Sequence, residues 1–268
     1  MKLFSQDFRQ IVYLEFYENI RNKWVFLYAI AFFMICSLTI YFGGKQSSKI
    51  TASLLNIFLL LIPIFGLLFG SVNFMESLPF MEVILSRPVS RAKLFLGKWI
   101  GANLGLNLGF VSGTAIPLIL FMDPSEGKIF LSIQLLIYGV LLNSIFLSLS
   151  FLASIIIIKK EMVLGSILII WFYFYFLYDL LIVGISIFFG EYPLEVPVLG
   201  MVLLNPLDLV RVIILLQMDS AVLLGFTSAF FQKYLGNVSG IFLCFVFLSV
   251  WIITPIFIGV RIFKSKDL

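Results

Sequence analysis

No histidine occurs anywhere in this 268-residue chain, and cysteine occurs only twice. The first absence excludes His-based acid–base catalysis and any imidazole metal site. The two thiols, Cys36 and Cys244, both fall inside long apolar runs with no second ligand at metal spacing, so they read as core filler rather than a disulfide. The eight methionines are scattered singly, which leaves no methionine copper ladder. The nucleotide loop G-x-x-x-x-G-K-[ST] is missing too: Gly44-Lys45-Gln46 and Gly97-Lys98-Trp99 lack both the upstream glycine and the Ser/Thr after lysine. With no carboxylate pair, catalytic triad or glycine-rich phosphate cradle, the chain is expected to have no catalytic residues, no metal ligands and no cofactor of its own.

Charge is scarce: charged residues make up 12% of the chain and hydrophobic ones 62%. No water-soluble globular domain has this balance, because apolar runs long enough to cross a ~30 Å hydrocarbon core recur throughout. The reading is an all-α integral membrane protein with six spans, at about Trp24–Phe42, Ala52–Ser71, Trp99–Met122, Ile129–Ile158, Met162–Phe189 and Val238–Val260. The Met1 end carries no cleavage site after a short apolar core, so no removable signal peptide is expected. Thirteen of the 18 Lys and Arg residues fall on the side of the two termini and five on the other, which predicts cytoplasmic termini. The basic excess is therefore membrane topology and does not point to nucleic acid.

Residues 1–23 form the first unit, an amphipathic helix expected to lie on the cytoplasmic surface in contact with membrane lipid, with Phe4, Phe8, Ile11, Val12, Phe16 and Ile20 on one side. Glu15 projects into that side, either reaching the headgroups or meeting Arg or Lys of another subunit. Residues 24–268 form the second unit. Between spans two and three, the loop at 73–98 mixes Glu76, Glu82, Arg87, Arg91, Lys93 and Lys98 with apolar stretches and Pro88, more than a connection needs, and suggests a docking surface. In span three, Gly97, Gly101, Gly105, Gly109 and Gly113 recur every four residues, a stripe that lets another helix approach closely, in this chain or in a second copy. Asn103 and Asn107 are placed to hydrogen-bond across a neighbouring interface.

The outer segment at 190–237 carries Leu203-Leu204-Asn205-Pro206-Leu207-Asp208 and then Arg211. Asn205 suits an N-cap, Pro206 the first helical position and Asp208 the third, so a helix is predicted to start here. Asp208 and Arg211 are spaced to pair. The helical pieces that follow are too short to span, and are read as lying at or dipping into the outer interface, as a lid or as a docking surface. Asp179 is the acidic residue inside a span and should face protein or water. Tyr175, one turn earlier, is placed to donate to it, and Arg211 is within its reach. A structural latch and a translocation-path role both remain open.

The run Leu85-Ser86-Arg87-Pro88-Val89-Ser90-Arg91 with Leu96-Gly97-Lys98, and the stretch Glu15 to Trp24, resemble the type-2 ABC exporter permeases. That resemblance implies that six spans form one half of a channel, two halves pair as a homodimer, and the first cytoplasmic loop seats on an ATPase. Glu76, Glu82, Arg87, Arg91 and Glu15 are then the expected ATPase-coupling residues. A narrower likeness covers Leu203 to Arg211, Leu215 to Asp219 and Trp171 to Leu181, which are similar to permeases of the NosY type, serving nitrous-oxide reductase maturation. It implies a bacterial inner-membrane protein with a cytoplasmic NosF-like ATPase holding ATP and Mg. It further implies a periplasmic β-helical NosD-like partner meeting Asn205, Asp208 and Arg211, and a sulfur or copper species or mechanical work as the output. One departure is the stretch Met75 to Phe80, where those permeases carry a Glu-rich, Gly-Thr-containing sequence. A general type-2 exporter of lipid or drug and a proton-coupled transporter using Asp179 are the alternatives.

Overall fold

The computed structural model describes residues 2–43, 47–86, 89–121, 128–190, 192, 194–218 and 228–266. Its elements are α1 (Lys2–Ile20), α2 (Lys23–Gly43), α3 (Ser47–Leu85), α4 (Arg91–Phe121), α5 (Lys128–Ile157), α6 (Lys160–Phe172), a π turn (Tyr173–Leu177), α7 (Tyr178–Phe188), α8 (Glu195–Leu204), α9 (Pro206–Gln217), α10 (Ser228–Leu235) and α11 (Val238–Ser265). No strand occurs among the described residues. Six stretches are long and apolar enough to cross a membrane, in α2, α3, α4, α5, α6–α7 and α11. The protein is thus an all-α, multi-pass membrane protein.

α5 is the central helix, walled by α3, α4, α6, α9 and α11. Aromatic side chains fill the space between α2, α3 and α4: Phe32, Phe58 and Phe110 meet pairwise at 5.2–5.4 Å. Beside them the buried Tyr28 hydroxyl donates to Asn143 Oδ1 on α5 at 2.8 Å.

Two sequence expectations are corrected here. The stretch at 73–98 is no long loop. α3 runs on to Leu85, α4 starts at Arg91, and only 86–90 lies between them. The reason is an apolar stripe at helical spacing, Phe74, Leu78, Met81 and Leu85, with Phe74 and Met81 fully buried. Phe74 packs edge-on against Phe151 of α5 and Phe95 of α4. Pro79 sits inside this helix but faces outward, where the Met75 carbonyl it leaves unbonded can meet solvent. With 39 residues α3 is about 58 Å long, so α3 and α4 project as a paired tip beyond a ~30 Å core.

The second correction concerns α1. It packs lengthwise on α4: added Cβ atoms on Gly97, Gly101 and Gly105 would strike Ile11, Glu15 and Asn19 in turn. Its covered face is therefore Ile11, Glu15, Phe16 and Asn19, whereas Ile20 is exposed along with Tyr13, Leu14 and Tyr17. The stripe continues under α2, where Gly109 lies against Val25 and Gly113 against the Ala29 backbone. Its partner helices are thus within the chain.

Candidate functional site

Two places concentrate the polar chemistry. The first is the α3–α4 tip. Glu76 and Glu82 stand exposed on the last turns of α3. Arg91, expected as a docking cation, is half-buried and donates through Nη1 to the Lys266 carbonyl at the end of α11. Lys266 Nζ in turn donates to Ile155 O at 2.6 Å and Ile156 O at 3.1 Å, capping the end of α5. Beside that cap Ile158 turns the chain with a φ of 58°. Arg87 and Pro88 lie outside the described residues.

Glu15, expected to reach the headgroups or to meet another subunit, is instead buried within this chain. Lys98 Nζ donates to its Oε2 at 2.9 Å, with both side chains only 3% exposed. Burial pushes the Glu15 carboxyl above its ordinary value, with the lysine opposing. Around the pair, Asn19 Nδ2 donates to Glu15 O at 2.6 Å, and Asn73 Nδ2 donates to Asn19 Oδ1 at 2.7 Å, tying α1 to α3. The sequence reading did not pair Glu15 with Lys98, and missed Asn19 and Asn73. The shared four-residue spacing of Ile11, Glu15 and Asn19 with the glycine stripe is the signal that points to them.

A polar strip follows along α4 and α5. Trp99 Nε1 donates to Ser148 Oγ at 3.1 Å, Ser144 Oγ to Asn103 Oδ1 at 3.0 Å, and Asn107 Nδ2 to Asn103 Oδ1 at 2.9 Å. Asn103 thus bonds across the α4–α5 seam, and Asn107 Nδ2 reaches Ser144 Oγ there at 3.4 Å, as their spacing predicts.

The second place is where α8 and α9 fold against span five. These two helices meet at a 115° bend and form a broken or re-entrant pair. Asn205 caps α9, its Oδ1 accepting from Leu207 N–H at 3.0 Å, with Pro206 at the first helical position and Asp208 at the third. The short helix is not peripheral: Leu207, Leu209, Val210, Ile213 and Ile214 are buried against α3, α5 and α11. Asp208 Oδ2 accepts from Asn205 Nδ2 at 2.7 Å. Arg211 Nη1 donates to Asp208 Oδ1 at 2.9 Å and to both oxygens of Asp179 at 3.1 Å. A single guanidinium therefore holds two carboxylates and fastens the α8–α9 hairpin to α7.

This arrangement settles several expectations. The Asp208–Arg211 and Asp179–Arg211 pairs form as their charges predict. Tyr175 does not bond Asp179; it stacks on Trp171 at 5.7 Å. The i→i+5 spacing of the π turn carries Tyr175 off the Asp179 side, and Tyr178 serves the hairpin instead, its hydroxyl donating to Met201 O at 2.8 Å. Asn205 and Asp208 are 0% and 4% exposed, so neither offers the outer contact expected of it. Their polar atoms are spent on joining α9 to span five. Arg211 keeps about a quarter of its side chain open (27%) and Asp179 somewhat more (41%). Asp219, at the end of the resembling stretch, lies outside the described residues. Among the described residues no three His, Cys, Asp or Glu side chains are placed to hold a metal ion.

No protein-family model matches the chain. It is 27% identical over 224 residues to the Probable ABC transporter permease protein NosY of Pseudomonas aeruginosa, which covers 77% of this chain and 81% of that protein. To the protein of the same name from Stutzerimonas stutzeri it is 25% identical over 215 residues, 74% of this chain and 78% of that one. Six apolar spans and these two likenesses support an ABC transporter permease subunit of the NosY type, a membrane subunit that works with an ATPase.

Proposed function

We propose that this permease subunit pairs with a second copy of itself in a bacterial inner membrane, seats cytoplasmic NosF-like ATPases on its α3–α4 tips, and turns their ATP-driven closure into movement at its outer hairpin. ATP and Mg belong to the ATPase. The work serves maturation of the copper–sulfur centre of nitrous-oxide reductase, by moving a sulfur or copper species or by acting mechanically on a periplasmic NosD-like β-helical protein.

The observation that carries this reading is the likeness to two NosY permeases over about three quarters of the chain. The geometry adds a route. Glu76 and Glu82 are exposed at the tip, α4 continues from the tip through the bundle along α5, and α5 touches α9. A push at the tip therefore reaches the hairpin through rigid, packed helices.

Purification of the full chain with its co-expressed ATPase tests the reading. We expect the two to elute together, and the double variant Glu76→Lys with Glu82→Lys to release the ATPase while the helical signal of the permease stays unchanged. ATPase retained at wild-type stoichiometry in that variant refutes the docking role. Recovery of the ATPase without any stable outer partner favours a general type-2 exporter over maturation.

A further inference from the structure

Span five contains a π turn, Tyr173–Leu177, in which Tyr178 N–H bonds back to Tyr173 O. Where such a turn returns to i→i+4 spacing, one backbone carbonyl is passed over and must find another donor or remain unsatisfied in the membrane. The next acceptor in line after Tyr173 O is Phe174 O. It receives Asn205 Nδ2 from the hairpin at 3.0 Å. That same amide nitrogen reaches Asp208, and Asp208 shares Arg211 with Asp179, five residues beyond Phe174. The bonds close a ring: Phe174 O, Asn205, Asp208, Arg211, Asp179, and back along the span.

The ring depends on register. In an uninterrupted α-helix five residues sweep about 500°, which leaves positions 174 and 179 about 140° apart around the axis. The wider π turn brings both to the side that faces α9. We infer that Asn205 is a positioning residue for the Asp179–Arg211 latch: by holding the passed-over Phe174 carbonyl it keeps span five in the π register, the register in which Asp179 meets Arg211. Without that donor, Phe174 O takes Tyr178 N–H, the span relaxes to a regular helix, and α7 turns by about 100°, carrying Asp179 off the arginine and freeing the hairpin. This inference concerns the hairpin alone and does not rest on the identity of any partner.

Hydrogen–deuterium exchange of the full chain in lipid nanodiscs tests it. Asn205→Ser keeps an oxygen to cap α9 but is too short to reach Phe174 O. Deletion of Tyr175 removes the extra residue and with it the passed-over carbonyl; four residues, about 400°, then separate Phe174 from Asp179, so a regular helix keeps Asp179 toward Arg211 without help from Asn205. In Asn205→Ser we expect amides of 195–217 to exchange about tenfold faster or more, the loss that follows when a buried bond of this kind is broken, while α3–α5 amides keep their protection; the deletion, which needs no such donor, should leave 195–217 near the wild-type rate. Asp179→Asn added to Asn205→Ser should bring no further acceleration, because both act through one latch. Wild-type exchange of 195–217 in Asn205→Ser overturns the inference, as does an additive effect in the double variant, which marks Asn205 as a cap and nothing more. If the deletion also loosens α3–α5, the serine variant decides.

Discussion

Lys98 and Glu15, 83 positions apart in the chain, meet at 2.9 Å with both side chains out of solvent, and this ion pair bolts α1 to α4. Breaking a buried pair from one side leaves a charge uncompensated, at a cost of about 3–5 kcal/mol. Lys98→Met should therefore lower the thermal midpoint of the full chain sharply. Glu15→Leu combined with Lys98→Met should recover much of the loss. A loss in the double variant equal to the sum of the two single losses would show that the charges do not interact.

The same pair sets a pH slope. The Glu15 carboxyl is raised by burial, so the folded state binds its proton more tightly than the unfolded chain does. That contribution is fully present below the ordinary carboxylate value and is lost as pH rises through the raised one. Thermal midpoints measured across that window should fall with pH in the wild type, and the slope should flatten in Glu15→Gln.

Glycine has two meanings in this chain. A Cβ on Gly101 would stand 2.5 Å from Glu15 Cβ and 2.9 Å from Phe16 N, whereas one on Gly165 would meet nothing within 4 Å. Gly101→Ala should destabilise by about 1–3 kcal/mol through forced separation of α1 and α4. Gly165→Ala should be neutral or stabilising by about 0.5–1 kcal/mol. Denaturant unfolding of the two variants side by side checks both signs.

Arg211 and Asp179 are not equal partners in their latch. Arg211→Gln leaves the buried Asp208 without its cation, and should cost about 3–5 kcal/mol. Asp179→Asn removes only the more open carboxylate and should cost less. The reverse order of midpoints would place the stabilising contact at Asp179.

Ile158 holds a left-handed backbone at the α5–α6 turn, a conformation that costs a β-branched residue about 1–2 kcal/mol. Ile158→Gly should relieve that cost and raise the thermal midpoint. A drop instead would mean that the half-buried isoleucine side chain contributes more than the strained backbone takes away.

Much of the hairpin was legible because its signals are local. Asn205, Pro206 and Asp208 state a helix start within four residues, and a lone Asp179 in an apolar span must find a cation. Glu15 and Lys98 carry no local sign of each other, so their pairing needed the packing of α1 on the glycine stripe. The α3–α4 tip was misread because charges and Pro88 suggest a loop, while the seven-residue interval from Phe74 to Met81 is what keeps it helical. The preference for Tyr178 over Tyr175 was invisible: a π turn adds one residue to a helix and leaves no mark in an aromatic run such as Phe172 to Phe176.

The stripe from Gly97 to Gly113 also fixes an order of events during synthesis. α1 leaves the ribosome before α4, and the surface that receives it is made about 80 residues later, about 4–16 s at 5–20 residues per second. For that interval the Glu15 carboxylate has neither Lys98 nor a groove to enter, and water is what solvates it. α1 therefore stays in water until α4 arrives, and a helix made early is set in place late.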